Sequence, residues 1–284
     1  MSGAYLSKRR LEELDGILPE RDKAILRSLE RCRYLTTGQI HRLHHADSKT
    51  AASGIRLANM GTAKLRSHGL IDMLDRRIGG ARGGSKAYVW TLAEPGANLL
   101  SLNDAERPAR KRGFEPSLNF LKHTLEVAET YVQLTEICRR NGLELIKSEM
   151  EPCCWRGYVG RDGNPATMKP DMYAATAGGG YEDSWFIEVD MNTEAPSKIA
   201  DKCARYAHYY RSGIEQERHG VFPLVAWIVH GEARKDKLMH YILESREIAG
   251  REKGIFTVIT RDEFEPLIMG GIESVIKPEG VKTT

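Results

Sequence analysis

KPDMYAATAGGGYEDSWFIEVDMNTEAPSKIADKCARYAHYY, residues 169–210, is the stretch on which the fold of this chain turns. It opens on Lys169-Pro170-Asp171. After sixteen intervening residues comes Glu188-Val189-Asp190, then Glu194, then Lys198, Lys202, Arg205, Tyr206 and Tyr209 at helical spacing. Side chains two apart on a strand share a face. Strands over 167–176 and 184–190 therefore project Lys169 with Asp171, and Glu188 with Asp190. If the two strands are neighbours, three carboxylates and one ammonium converge. Such a hard-oxygen cluster suits Mg²⁺ or Mn²⁺, an ion that activates water and stabilises charge on a phosphate in transfer. Lys198 and Lys202 lie about one turn apart on the following helix and can face the same place. The competing reading is structural. The acids would then form a solvated strand end, Glu194 would sit in the first turn of the next helix where the dipole favours it, and Lys202 would pair with Glu194 or Asp201. Glu149 and Glu151 are further carboxylates within reach of this part of the chain.

Outward from that stretch, an amphipathic helix over 117–140 precedes it, with Leu118, Leu121, Leu125, Ala128 and Val132 on its inward face. Strands are expected at 143–150, 167–176 and 184–190, and a helix at 197–212. The continuous apolar run 221–230 reads as a buried central strand. A helix at 234–248, a strand at 255–260 and a helix at 261–268 follow. The order is α-β-β-β-α-β with an α-β-α extension.

The first hundred residues read differently. Pro19 opens a helix over 20–32 that buries Ile25, Leu26 and Leu29. Thr36 and Thr37 are cap candidates for a short helix over 38–44. A third helix within 49–68 places Ile55, Ala58, Thr62 and Leu65 on one face. Two β-prone runs, 70–78 and 87–92, flank the turn GGARGGSK and form a hairpin. Three helices and a glycine-tipped hairpin are the order of a winged helix-turn-helix, in which a helix enters the major groove and the wing reaches the backbone. Lys49, Arg56, Asn59, Lys64 and Arg66 are the polar positions of the third helix. Arg76, Arg77, Arg82 and Lys86 make the wing basic, as phosphate contacts require. The alternative is a winged helix used for protein contacts. His41, His44 and His45 lack companion ligands and read as packed or solvated side chains.

The charge supports this division. The net is only +3, yet residues 1–113 carry 21 Lys/Arg against 12 Asp/Glu, and residues 114–284 carry 21 against 27. A basic half with a duplex-DNA partner and an acidic half with another chemistry follow from that asymmetry. We divide the chain into a winged helix-turn-helix domain over 1–100, a basic linker over 101–116 and an α/β domain over 117–284. The apolar run 222–229 is too short to span a bilayer. No apolar segment follows the basic start, so no signal peptide is expected. Five cysteines without a CxxC pair fit the cytoplasm and argue against a zinc ribbon.

The PD…ExD pattern on an α-β-β-β-α-β order resembles the PD-(D/E)xK nuclease superfamily. The resemblance implies a restriction-endonuclease-like domain with Asp171 and Glu188 as Mg²⁺ or Mn²⁺ ligands. The lysine position of the motif holds Asp190, a third possible ligand, and Lys169 or Lys202 stands near enough to replace the lysine. A wider resemblance covers most of the chain. LTTGQIHRL, HGLIDML, a helix with His123, KPDMY, WFIEVDMNTE, K…Y on a helix and FPLVAWIV follow one another as in the replication-relaxation family of plasmids and mobile elements. That likeness implies DNA binding and a role in replication, relaxation or mobilisation, with relaxase or replication proteins as partners and homodimerisation as an option. It highlights His123, Glu188, Asp190, Glu194, Lys202 and Tyr206. Two readings stand at this point: a metal-dependent endonuclease, and a DNA-binding regulator or accessory factor whose nuclease-like domain is a scaffold.

Overall fold

The computed structural model describes residues 6–74, 87–102, 116–160, 162–245, 247–248 and 250–275. The chain forms two compact units, 1–136 and 137–284. It is an α+β protein.

In the first unit α1 (Lys8–Ile17) starts at Ser7, whose hydroxyl accepts the Arg10 N–H. Next, α2 (Glu20–Cys32) follows Pro19 and buries Ile25, Leu26 and Leu29, as the spacing predicts. A short strand β1 (Tyr34–Thr36) leads into α3 (Thr37–His44), and α4 (Ala51–Ser67) follows after a turn. Both helices begin with a capping box: Thr36 with Gln39, and Thr50 with Ser53. Each box satisfies two backbone donors that a helix start leaves open. The two helices cross closely at Gly54, where a Cβ would stand 2.3 Å from the His41 ring. Then come β2 (Ile71–Met73), β3 (Val89–Leu92) and α5 (Glu94–Leu100). The three strands form an antiparallel sheet in the order β1-β3-β2. β2 and β3 are the stems of the expected hairpin. Its tip, with Arg76, Arg77, Arg82 and Lys86, lies outside the described residues, as does most of the 101–116 segment. The helix α6 (Leu118–Asn141) is the long amphipathic helix of the sequence. Within the first unit, its Leu121 and Leu125 pack with Tyr34 and Val89. Arg42 on α3 holds Glu129 (2.5 Å) and Glu136 (2.8 and 2.5 Å), so α6 is tied to α3 by charge and to β1 and β3 by packing.

The second unit is built on a five-stranded mixed sheet in the order β10-β9-β8-β7-β4. Its members are β4 (Glu144–Met150), β7 (Met172–Gly178), β8 (Tyr181–Val189), β9 (Leu224–Val229) and β10 (Phe256–Thr260). A two-stranded ribbon of β5 (Arg156–Val159) and β6 (Pro165–Met168) precedes β7. The pairs β4–β7 and β7–β8 are antiparallel, while β8–β9 and β9–β10 are parallel. Gly179 and Gly180, both at positive φ, make the two-residue turn between β7 and β8. Positive φ at both positions suits the tight turn that follows the twist of a hairpin. The remaining helices are α7 (Pro196–Ser212), α8 (Ile214–His219), α9 (Glu232–Glu244) and α10 (Phe264–Gly270). Ile199, Cys203 and Tyr206 of α7 and Leu238 and Ile242 of α9 pack with Phe186, Val225 and Trp227 into one core.

Four expectations change: Leu118, expected on the inward face of α6, is exposed at the start of the helix. The strand expected over 167–176 is two strands, because Lys169, Pro170 and Asp171 form the connection between β6 and β7. Proline supplies no N–H to a ladder. Lys169 and Asp171 therefore do not share a strand face. Ile55 does not belong to the buried side of α4: it is exposed, and Gly54 joins Ala58, Thr62 and Leu65 in the interior. The last helix begins at Phe264, after a 3₁₀ turn over 261–263.

Candidate functional site

The acid cluster sits at the end of β8, against α7. Glu188 is the last but one residue of β8 and is completely buried. Phe186 and Glu188 point to the α7 side because strand residues alternate. The Tyr206 hydroxyl donates to Glu188 Oε1 at 2.5 Å, and the Lys202 ammonium donates to Oε2. Lys202 and Tyr206 are four residues apart on α7, one turn, so one helix face supplies both donors. Asp171, just before β7, is also buried. Its Oδ2 accepts the Val189 N–H at 2.8 Å, and its Oδ1 lies 3.8 Å from the Lys202 nitrogen. Lys202 thus stands beside both acids.

Asp190 leaves the strand and takes a different partner. Arg234 on α9 grips it with two bonds, Nε to Oδ2 at 2.6 Å and Nη2 to Oδ1 at 3.1 Å. The Asn192 N–H adds a third at 3.1 Å. Two parallel bonds between a guanidinium and a carboxylate are among the stronger and more directional polar contacts.

Burial pushes the Glu188 carboxyl up to about 8, and the nearby Asp171 charge pushes the same way, against the pull of Lys202 and Tyr206. Burial pulls Lys202 down, but Glu188 and Asp171 outweigh it and hold the ammonium charged, above its usual range. Tyr206 stays protonated, because burial and the acid it serves both raise it. Two acids thus share one ammonium and one phenol.

These donors do not suit a divalent cation as they stand. Among the described residues, no three His, Cys, Asp or Glu side chains group as a metal site. Both Glu188 oxygens are taken, and Lys202 occupies the position between the acids where a cation would sit. The third carboxylate of the motif, Asp190, is bound to Arg234.

A model of the family described as replication-relaxation matches residues 26–225. The chain belongs to the replication-relaxation family. The matched segment contains Asp171, Glu188, Asp190, Lys202 and Tyr206, and it ends before Arg234. No curated protein matches the chain. Among solved structures it is similar to restriction endonuclease FokI, at 14% identity over 96% of this chain and 47% of that one, with a TM-score of 0.28. It is also similar to FokI bound to DNA, at 16% identity over 97% and 48%, with a TM-score of 0.24. The chain spans about half the length of those structures. Similarity at that level carries no argument about this protein's site.

The other highlighted residues of this family member have separate places. Lys169 is exposed, with its nitrogen 4.3 Å from the centre of the Trp155 ring, and makes a cation–π contact there. Lys198 and the Glu194 side chain are exposed, and the Glu194 carbonyl accepts from Arg234 at 3.3 Å. Glu149 pairs with Lys147 (2.7 Å) and Arg156 (3.0 Å). His123 is a half-buried residue of α6 in the first unit. The five cysteines are free thiols; Cys154 is buried, and burial raises its thiol far above the usual range. Arg234 is the residue that sequence reading missed. It lies 44 residues beyond Asp190 with no motif around it, and only the parallel pairing of β8 with β9 brings α9 alongside.

In the first unit, Lys49, Arg56, Asn59 and Arg66 are exposed on or just before α4. Lys64 is half-exposed and pairs with Asp22 of α2 at 2.9 Å. No described helix is long and apolar enough to cross a membrane.

Proposed function

We propose that this protein binds duplex DNA through its first unit and acts in the replication, relaxation or mobilisation of a plasmid or mobile element. Its second unit serves as a non-catalytic scaffold for a protein contact, with relaxase or replication proteins as candidate partners and self-association as a further option. One observation carries the non-catalytic part. The motif's lysine position holds Asp190, and Arg234 ties that carboxylate down on both oxygens. DNA binding is supported by family membership and by the basic, exposed side of α4 behind a tightly crossed helix pair.

Purified protein should bind duplex DNA without metal, with an affinity that falls as salt rises, and should cut neither supercoiled, linear nor branched DNA in Mg²⁺ or Mn²⁺. Metal-dependent cleavage that Asp171→Ala abolishes would overturn the scaffold reading. That second reading has one observation in its favour: Lys202 lies near both Asp171 and Glu188, so a displaced lysine is at hand. Removal of the ammonium separates the two. Lys202→Ala leaves two acids without their shared cation, and Mn²⁺ should then raise the melting temperature of the variant but not of the wild type. An equal response in both would show that Lys202 does not stand in for the metal.

A further inference from the structure

The exposed side of α4 is not simply basic. Ala52, Arg56, Asn59 and Ala63 follow one another at steps of four, three and four residues, which is one helix stripe. Gly54, Ala58, Thr62 and Leu65 form the opposite, buried stripe. Met60, one turn past Arg56 and beside Ala63, is 60% exposed, Leu57 three residues before it is 41% exposed, and Ile55 is 42% exposed on the other flank. Three large apolar side chains left in water on one helix are more than a scattered single residue, which would need no explanation. A protein partner would favour a continuous apolar patch, and here Arg56 and Asn59 separate Ile55 from the Leu57–Met60 pair. The pattern alternates instead: small residues that let the backbone approach, a guanidinium, an amide, and apolar groups on either side. That mixture matches the major-groove edge of DNA, where guanine offers two acceptors, adenine an acceptor and a donor, and thymine an apolar C5-methyl. Lys49 before the helix and Arg66 near its end supply cations for the flanking phosphates.

We infer that α4 is specific for sites that carry thymine, with Met60 as the side chain that reads the thymine methyl and Arg56 and Asn59 as its purine-reading neighbours. The inference rests on the DNA-binding reading and goes beyond it by assigning the base class and the residue. Phosphate contacts alone would leave binding indifferent to sequence; this face would not.

The test uses the full chain. Duplexes are selected from a random library, and each thymine of the selected site is then replaced by deoxyuridine, which removes only the methyl. Wild type should lose about fourfold in affinity for each methyl it covers, the ratio expected for burying one such group. Met60→Ala should abolish the deoxyuridine effect at one position and leave the others. The position is exposed, so the variant should keep the wild-type melting temperature. Wild type that binds deoxyuridine and thymidine duplexes equally, or a Met60→Ala protein with an unchanged deoxyuridine profile, would overturn the inference while leaving DNA binding intact. A chain that binds no duplex at all would overturn the DNA-binding reading with it.

Discussion

Glu188 is the residue with the most at stake. It has no exposure, and its proton is held to about 8 by burial. In the unfolded chain the same carboxyl releases its proton near its ordinary value of 4.5. Between those limits the folded state binds more protons than the unfolded one, so this group makes stability fall as pH rises from about 4.5 toward 8. Urea unfolding at pH 5 and pH 8 should show that decline, and Glu188→Gln should flatten it. An unchanged slope in the variant would remove Glu188 as its source. Asp190 and Arg234 make a different case. Both are buried to nine-tenths or more at the side chain, and breaking one member of such a pair strands the other. Arg234→Met should cost about 3–5 kcal/mol in a denaturant melt. The double variant Arg234→Met/Asp190→Asn should recover much of that loss, because the uncompensated charge is then gone. Glu188 could be singled out from sequence as a carboxylate of the ExD pattern, but its burial could not, because a solvated strand end reads the same way. The grip on Asp190 could not, because no local pattern points to a residue on another helix.

At the scale of elements, glycines mark where backbones come closest. Gly96, inside α5, has the Leu70 carbonyl oxygen 2.1 Å from where a Cβ would be. A backbone oxygen cannot swing aside as a side chain can, so Gly96→Ala should destabilise the protein by about 1–3 kcal/mol or more. Gly16 in α1 has nothing within 4 Å. Gly16→Ala should be neutral or stabilise by up to about 1 kcal/mol, because alanine costs less conformational entropy in a helix. Thermal melts of the two variants against wild type would expose any reversal. The amphipathic helices were readable because their period is local: α2 buries the residues its spacing names. The strand over 167–176 was misread for a reason of the same kind. Its composition is β-prone throughout, and the break at Pro170 depends on β6 pairing with β5 while β7 pairs with β4 and β8. Ile55 was misplaced because helical spacing alone allows a stripe to rotate by one residue, and the close crossing at Gly54 sets the rotation.

For the whole molecule, the charge split has a physical consequence. The first 113 residues carry nine more cationic than anionic side chains. If that excess meets phosphates, the logarithm of affinity falls linearly with the logarithm of salt, by about 0.9 for each phosphate neutralised. Lys49→Ala should weaken binding evenly across sequences and lower that slope by about 1, as expected for one phosphate contact. A loss confined to particular sequences would move Lys49 from the backbone to the bases. The net charge of +3 conceals this behaviour entirely, because the acidic surplus lies in the other half of the chain.

Sequence by itself determined the class, most of the order of elements, the two chemically distinct halves, and which short stretch carries the acids and the helix beside them. Those are properties of periodicity, composition and short spacing, and each is set within a few neighbouring residues. Tertiary structure alone decided which charges satisfy one another. It placed Lys202 beside both acids, bound Asp190 to Arg234, sent Lys169 to Trp155 and left Met60 in solvent beside Arg56. The physical reason is that an ion pair or an exposed face depends on distances across packed elements. Strand order and helix rotation set those distances, and no local spacing encodes them.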